Sequence, residues 1–84
     1  MKYTAEIDIM PLKALLDPQG RATTKVLKDM GMPEFENVRI GKHIKLEIEA
    51  ETEDQAKQKV EEACKKLLVN AIMESFHYTL KRSN

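Results

Sequence analysis

Two stretches of strict apolar–polar alternation constrain this chain more than any other feature. From Lys2 to Ile9, the residues Tyr3, Ala5, Ile7 and Ile9 share one phase, while Lys2, Thr4, Glu6 and Asp8 take the other. From His43 to Ala50, Ile44, Leu46 and Ile48 alternate with Lys45, Glu47 and Glu49. Side chains on a strand leave opposite faces with a period of two, so each stretch reads as a strand with one apolar and one wet face. One-sided strands of this kind belong to antiparallel sheets, because strands buried on both faces read as continuous apolar runs. The apolar face must therefore find a cover.

Two helical patterns can supply it. Asp17-Pro18 reads as a helix start, with the carboxylate as N-cap and proline at the first helical position. Ala22, Val26, Leu27 and Met30 follow at helical spacing, and Gly31 stands where a left-handed C-cap belongs. Gly20 inside the first turn costs about 1 kcal/mol against alanine, which points to a frayed start or to close approach by another backbone. Thr52 and Gln55 have the spacing of a capping box. Ala56, Val60, Ala63, Cys64, Leu67 and Leu68 then mark one apolar stripe, and Asn70 is expected as a left-handed cap.

The remaining segments read as strands. Phe35 to Ile40 is extended and leads through a Gly41-Lys42 turn or bulge into the His43 strand. Near the end, Phe76, Tyr78 and Leu80 alternate with Ser75, His77 and Thr79. Pro11 weakens pairing after the first strand. Leu12, Leu15 and Leu16 form an apolar link that needs burial, and residues 81–84 are expected to fray. The order β-α-β-β-α-β predicts an α+β, ferredoxin-like fold: a four-stranded antiparallel sheet with two helices on one face. The other face stays open, and open faces and edges tend to pair with another copy.

With 84 residues, one domain spanning 1–84 is expected, too small to carry much spare stability. The single cysteine excludes an intrachain disulfide and a cysteine-based zinc site. Together with the polar start and the lack of a long apolar run, it points to a cytoplasmic protein outside any membrane. Fourteen basic and fourteen acidic residues cancel, which argues against nucleic acid as a partner.

Chemistry is sparse. Cys64 lies on the apolar stripe and reads as a small buried hydrophobe rather than a nucleophile. His43 and His77 fall at outward strand positions, away from ligand spacing. Glu6 and Asp8 are outward as well, with no paired carboxylate to shift a pKa. The three glycines are too scattered for a phosphate loop, and Tyr3, Phe76 and Tyr78 point to the core rather than to an open face for base stacking. No catalytic, cofactor-binding or metal-binding residue emerges. Two segments resist a purely structural account. In Leu16-Asp17-Pro18-Gln19-Gly20 and Val38-Arg39-Ile40-Gly41-Lys42, capping and turn chemistry explain Asp17, Pro18 and Gly41. Nothing in a helix start or turn demands Gln19, Arg39 or Lys42, which makes them candidates for partner contact.

At those segments the chain resembles the PurS family, the small subunits of phosphoribosylformylglycinamidine synthase in purine biosynthesis. The resemblance rests on L-D-P-Q-G at 16–20, V-R-I-G-K at 38–42 and C-K-K-L-L-V-N at 64–70, leading into Ile72-Met73-Glu74. Order, spacing and total length agree. One departure is Ala71, where the family usually has proline. The resemblance implies a non-catalytic chain that self-associates as a dimer or tetramer. It would bridge a PurQ-like glutaminase subunit and a large PurL-like synthetase subunit, which uses ATP and magnesium, and support ammonia transfer between them. Within that division of labour, Gln19, Arg39 and Lys42 are expected to contact a partner or a second copy, while Asp17, Pro18, Gly20, Gly41 and Asn70 are expected to hold the backbone in shape. The main rival is an ACT-like module that binds a small regulatory molecule. An acylphosphatase-type enzyme would need an anion-cradling loop where Met10-Pro11-Leu12-Lys13 stands, and an RNA-binding module is the third alternative. The topology hosts all of these.

Overall fold

The computed structural model describes residues 1–13 and 17–83. Strand β1 (Lys2–Pro11) is followed by helix α1 (Pro18–Asp29), strand β2 (Lys42–Glu49), helix α2 (Glu53–Ala63), which runs on into a π turn at Cys64–Leu68, and strand β3 (Glu74–Arg82). The sheet is antiparallel with order β2-β1-β3. The α+β class and the antiparallel sheet with two helices are as expected, but the order is β-α-β-α-β with three strands. Each alternating stretch forms a strand, and β1, with an apolar inner face and partners on both sides, is the central one. Ile7 pairs with Ile44 on one side and Tyr78 on the other.

The fourth expected strand is absent: residues 35–41 form an irregular segment beside α1. Its backbone groups bond to side chains instead of a neighbouring strand. Val38 N donates to Thr24 Oγ1 at 3.1 Å and Ile40 N to Asp17 Oδ2 at 3.1 Å. Asn37, at φ 54°, breaks the extended run. Gly41-Lys42 is accordingly no hairpin turn. The last strand is longer than expected, since Lys81 and Arg82 pair with Thr4 and Tyr3, and Ser83 N reaches Lys2 O at 2.9 Å. Of the residues expected to fray, only Asn84 lies outside the described residues.

The core is one-sided. Ala5, Ile7 and Ile9 from β1 meet Val60 from α2, Cys64 from the π turn and Val69 beyond it, with Ile44, Leu46, Ile48, Phe76, Tyr78 and Leu80 half-buried around them. Each fully buried aliphatic side chain here contributes about 1.5–3 kcal/mol. Thr52 caps α2 by accepting from Gln55 N at 3.1 Å, and Gln55 Oε1 accepts in turn from Glu51 N at 2.9 Å.

The apolar stripe of α2 departs from expectation at its end. Ala56, Val60 and Cys64 are buried at steps of four, but the helix then widens so that Val69 N donates to Cys64 O, five residues back. A π turn inserts a residue relative to an α-helix and so rotates the residues beyond it. Leu68 thereby turns inward, and Leu67 is left 83% exposed.

Helix α1 does not cover the sheet. Its N-cap, Asp17, accepts from Gly20 N at 3.0 Å. A Schellman motif ends it: Gly31 N bonds Lys28 O and Met32 N bonds Leu27 O, with Gly31 at φ 86°. Between these caps it packs substantially on neither the strands nor α2, and Val26 and Met30 are 53% and 66% exposed. The molecule is elongated as a result. Its radius of gyration is 16.6 Å, against about 12 Å for a compact chain of this length. The expected two-helix cover is thus a one-helix cover. Leu12 is half-buried, and the expectation for Leu15 and Leu16 lies outside the described residues.

Candidate functional site

The segments singled out in the sequence come together at one end of the sheet. Asp17 is their hinge. Its Oδ1 caps Gly20 N, its Oδ2 accepts from Ile40 N, and Arg39 Nε stands 3.7 Å from Oδ2. Those two backbone donors, followed by the Arg39 charge, hold the Asp17 carboxyl below its ordinary range despite burial. Thr24 adds a second tie, its hydroxyl donating to Gly20 O at 2.8 Å while accepting from Val38 N. The 35–41 segment is stitched onto the first two turns of α1 in this way.

The two glycines permit this contact. A Cβ at Gly20 would collide with the carbonyl oxygen of Val38, so the close approach, rather than fraying, explains the residue. A Cβ at Gly41 would strike the carbonyl oxygen of Ile9, where the segment passes over the end of β1. Arg39 anchors that crossing: its Nη2 donates to Pro11 O at 2.6 Å and to Leu12 O at 3.0 Å. The side chain left unexplained by turn chemistry therefore has an intrachain role, joining the second segment to the exit of β1.

The third segment closes the arrangement. Asn70 is not in a left-handed conformation. Its side chain makes an Asx turn instead, Oδ1 accepting from Ile72 N at 3.1 Å, while Asn70 O receives Met73 N and Glu74 N. Asn70 N donates to Glu74 Oε1 at 2.9 Å, and Glu74 Oε2 pairs with Lys42 Nζ at 3.5 Å. Leu12 N donates to Met73 O, which fastens the exit of β1 to the same turn.

The outcome is an open depression of about 500 Å³. It is lined by Asp17, Pro18 and Gln19 from one segment, Ile40, Gly41 and Lys42 from a second, and Asn70, Met73 and Glu74 from a third, together with Pro11. Gln19 and Lys42 are exposed at its rim. Gly20 and Arg39 do not line it; they lie behind Asp17. Sequence reasoning reaches Met73 and Glu74 only as the tail of a motif and misses Thr24. Complementarity to Lys42 is the available signal for Glu74. For Thr24, one of two adjacent threonines in a helix, there is none.

Elsewhere, Cys64 is fully buried, and burial followed by the nearby Glu61 charge pushes its thiol up, away from the reactive thiolate. His43 is exposed at an outward strand position, as expected, but it has partners there. On the outer sheet face its Nδ1 lies 2.6 Å from Asp8 Oδ1 and its Nε2 3.3 Å from Glu6 Oε1. The two carboxylates, first Asp8 and then Glu6, raise its pKa. Among the described residues no group of three or more His, Cys, Asp or Glu is placed to hold a metal ion, and no helix is long and apolar enough to cross a membrane.

Comparison with known proteins extends this picture. Residues 4–82 match the family described as PurS: phosphoribosylformylglycinamidine (FGAM) synthase. The phosphoribosylformylglycinamidine synthase subunit PurS of Bacillus subtilis is 35% identical over 79 residues, which is 94% of this chain and 93% of that protein. The subunit of the same name from Methanocaldococcus jannaschii is 32% identical over 95% of this chain and 96% of its own length. Among solved structures, a C2 crystal form of B. subtilis PurS superposes with a TM-score of 0.87 at 34% identity, covering 95% of this chain and 99% of that one. A chain of the PurLQS structure from Thermotoga maritima gives 0.87 at 31% identity, covering 96% and 99%.

Proposed function

Because the chain belongs to the PurS family, whose members are subunits of phosphoribosylformylglycinamidine synthase, we propose that it joins the glutaminase and synthetase subunits of that enzyme and supports ammonia transfer between them, catalysing no step itself. The observation that carries this reading is the convergence of three distant segments on one open depression whose walls are backbone turns and Gln19, with Asp17, Lys42 and Glu74 already engaged in contacts within the chain. Such walls offer contact surface rather than a nucleophile or an acid–base pair. Partners of the PurQ and PurL type are supported by the PurLQS structure, one chain of which matches nearly this whole protein. ATP and magnesium are used on the synthetase, and the work is cytoplasmic.

Ammonia released into water is diluted and largely protonated at neutral pH, so a junction between two active sites must be sealed. Gln19 and Lys42 stand where they can contact a partner directly, and Arg39 contributes by fixing the segment that presents Lys42. Asp17, Pro18, Gly20, Gly41 and Asn70 set the shape of the walls. Self-association is supported by the exposed Val26 and Met30 on α1, together with Phe35, which is 47% exposed. The family match lends the ACT-like reading no support.

Reconstitution tests the proposal. Purified glutaminase and synthetase subunits receive ATP and the formylglycinamide ribonucleotide, with either glutamine or ammonium as nitrogen source. The chain is expected to be required with glutamine and dispensable with ammonium, and Lys42→Ala is expected to weaken only the glutamine-dependent rate. Equal rates with and without the chain under glutamine would refute the subunit role.

A further inference from the structure

A second depression lies on the other side of Asp17, which lines both. It encloses about 520 Å³ beside the first turns of α1 and residues 37–39. Its charged lining is Lys13, Arg21 and Arg39, with Asp17 as the one carboxylate. That carboxylate is already engaged by Gly20 N, Ile40 N and Arg39. Lys13 and Arg21 make no ion pair or hydrogen bond through their side chains among the described residues. Arg39 Nε is enclosed and has no hydrogen-bond partner, since its distance to Asp17 exceeds bonding range. In a chain whose charges balance at fourteen each, three cations around one occupied carboxylate form a local positive field. Asn37, the only non-glycine residue in the left-handed region among those described, lines the same depression.

We propose that Lys13, Arg21 and Arg39 form a binding site for the phosphate groups of a small phosphorylated molecule. The cations gather around one concavity of a size ordinary for small ligands. They do not run along a stripe, as they would to follow an extended acidic chain. The Arg21 guanidinium, whose fork engages two oxygens at once, and the Lys13 ammonium suit a multiply charged oxyanion such as a diphosphate, while Arg39, its Nη2 already held by Pro11 O and Leu12 O, adds its charge to the field. The site does not depend on the subunit reading given above, and its test needs no partner chain.

The full ¹⁵N-labelled chain is titrated with inorganic pyrophosphate at constant ionic strength while its amide resonances are followed. Saturable shifts confined to Arg21, Asn37, Val38 and Arg39 are expected. The double variant Lys13→Ala/Arg21→Ala should bind about tenfold more weakly or worse, with an unchanged melting curve because neither side chain holds the fold. Unsaturable drift shared by cations across the surface, or equal binding by the double variant, would overturn the proposal. Tighter binding of a hexaglutamate peptide than of pyrophosphate at these residues would also overturn it, assigning the surface to protein carboxylates.

Discussion

Replacing Gly20 by alanine sets two effects of opposite sign against each other. Considered as a helix residue, Gly20 should welcome the change, since alanine is favoured inside a helix by about 1 kcal/mol. The tertiary structure says otherwise. The new Cβ would meet the Val38 carbonyl head-on and lie 2.6 Å from Asp17 Oδ2. Val38 cannot retreat cheaply, because its own N–H is bound to Thr24 and the next turn of the segment hangs from Asp17. Overpacking of this kind costs about 1–3 kcal/mol, and each backbone bond stripped as the segment moves adds about 1 kcal/mol. After the helical gain is subtracted, the net loss is about 2–3 kcal/mol, or roughly 10–20 °C in melting temperature for a domain of this size. Gly31→Ala is the control: its site is open, so only the positive φ is penalised, at about 1–2 kcal/mol. Circular-dichroism melts at one fixed protomer concentration measure both, since association contributes to apparent stability. Amide shifts of residues 38–40 report the segment directly and should move in Gly20→Ala alone. A Gly20→Ala chain melting at or above the unaltered protein would refute the close contact between α1 and the segment.

The π turn makes a second prediction. Leu67→Ala should change stability by no more than about 0.5 kcal/mol, whereas Leu68→Ala should cost about 1–2 kcal/mol, a part of what a fully buried leucine loses. A regular α-helix would put Leu67 inside and reverse the order in urea denaturation. The outer face supplies a pH dependence. Carboxylates raise the His43 pKa in the folded state, so its contribution is fully present below the unfolded value of about 6.5 and disappears as pH rises through the folded value. The stability difference between the protein and His43→Gln should therefore shrink from pH 5.5 to pH 8.5; a difference that grows with pH would show that the pairing is absent in solution.

Much of the fold is legible in the sequence because it obeys local periodicities. The three strands follow alternation, and both helices start at side-chain caps that the sequence spells out in Asp17-Pro18 and Thr52/Gln55. Gly31 ends α1 as its position announces. The misreadings share one cause, which is dependence on partners distant in sequence. Phe35 to Ile40 looks extended and is so in part, but its N–H groups are claimed by Thr24 and Asp17, and no pattern within the segment reveals that. The stripe of α1 reads as a sheet cover because an isolated sequence does not say which apolar face a stripe meets. The π turn hides in the stripe of α2, where Leu67 and Leu68 are equally apolar and only the Cys64–Val69 hydrogen bond decides between them. At the candidate site, Asp17, Gln19, Gly41, Lys42 and Asn70 are each visible singly. Their meeting, the Glu74 counter-ion and the inward role of Arg39 need three dimensions.

Because β1 is the middle strand, every rung of the sheet joins residues far apart along the chain: Ile7 finds one partner 37 positions away and the other 71. The loops must close before those pairings offset the lost entropy, so a chain of this topology folds more slowly than a helical bundle of its size. During that interval Tyr3, Ala5, Ile7 and Ile9 form an uncovered β-prone run, the kind of segment that recruits other copies into aggregates. The alternating Glu6 and Asp8, which in the finished protein hold His43, act in the nascent one as charged gatekeepers within the same strand. Neutralising both should therefore lower the yield of soluble chain on refolding more than it lowers the stability of the chain that has folded.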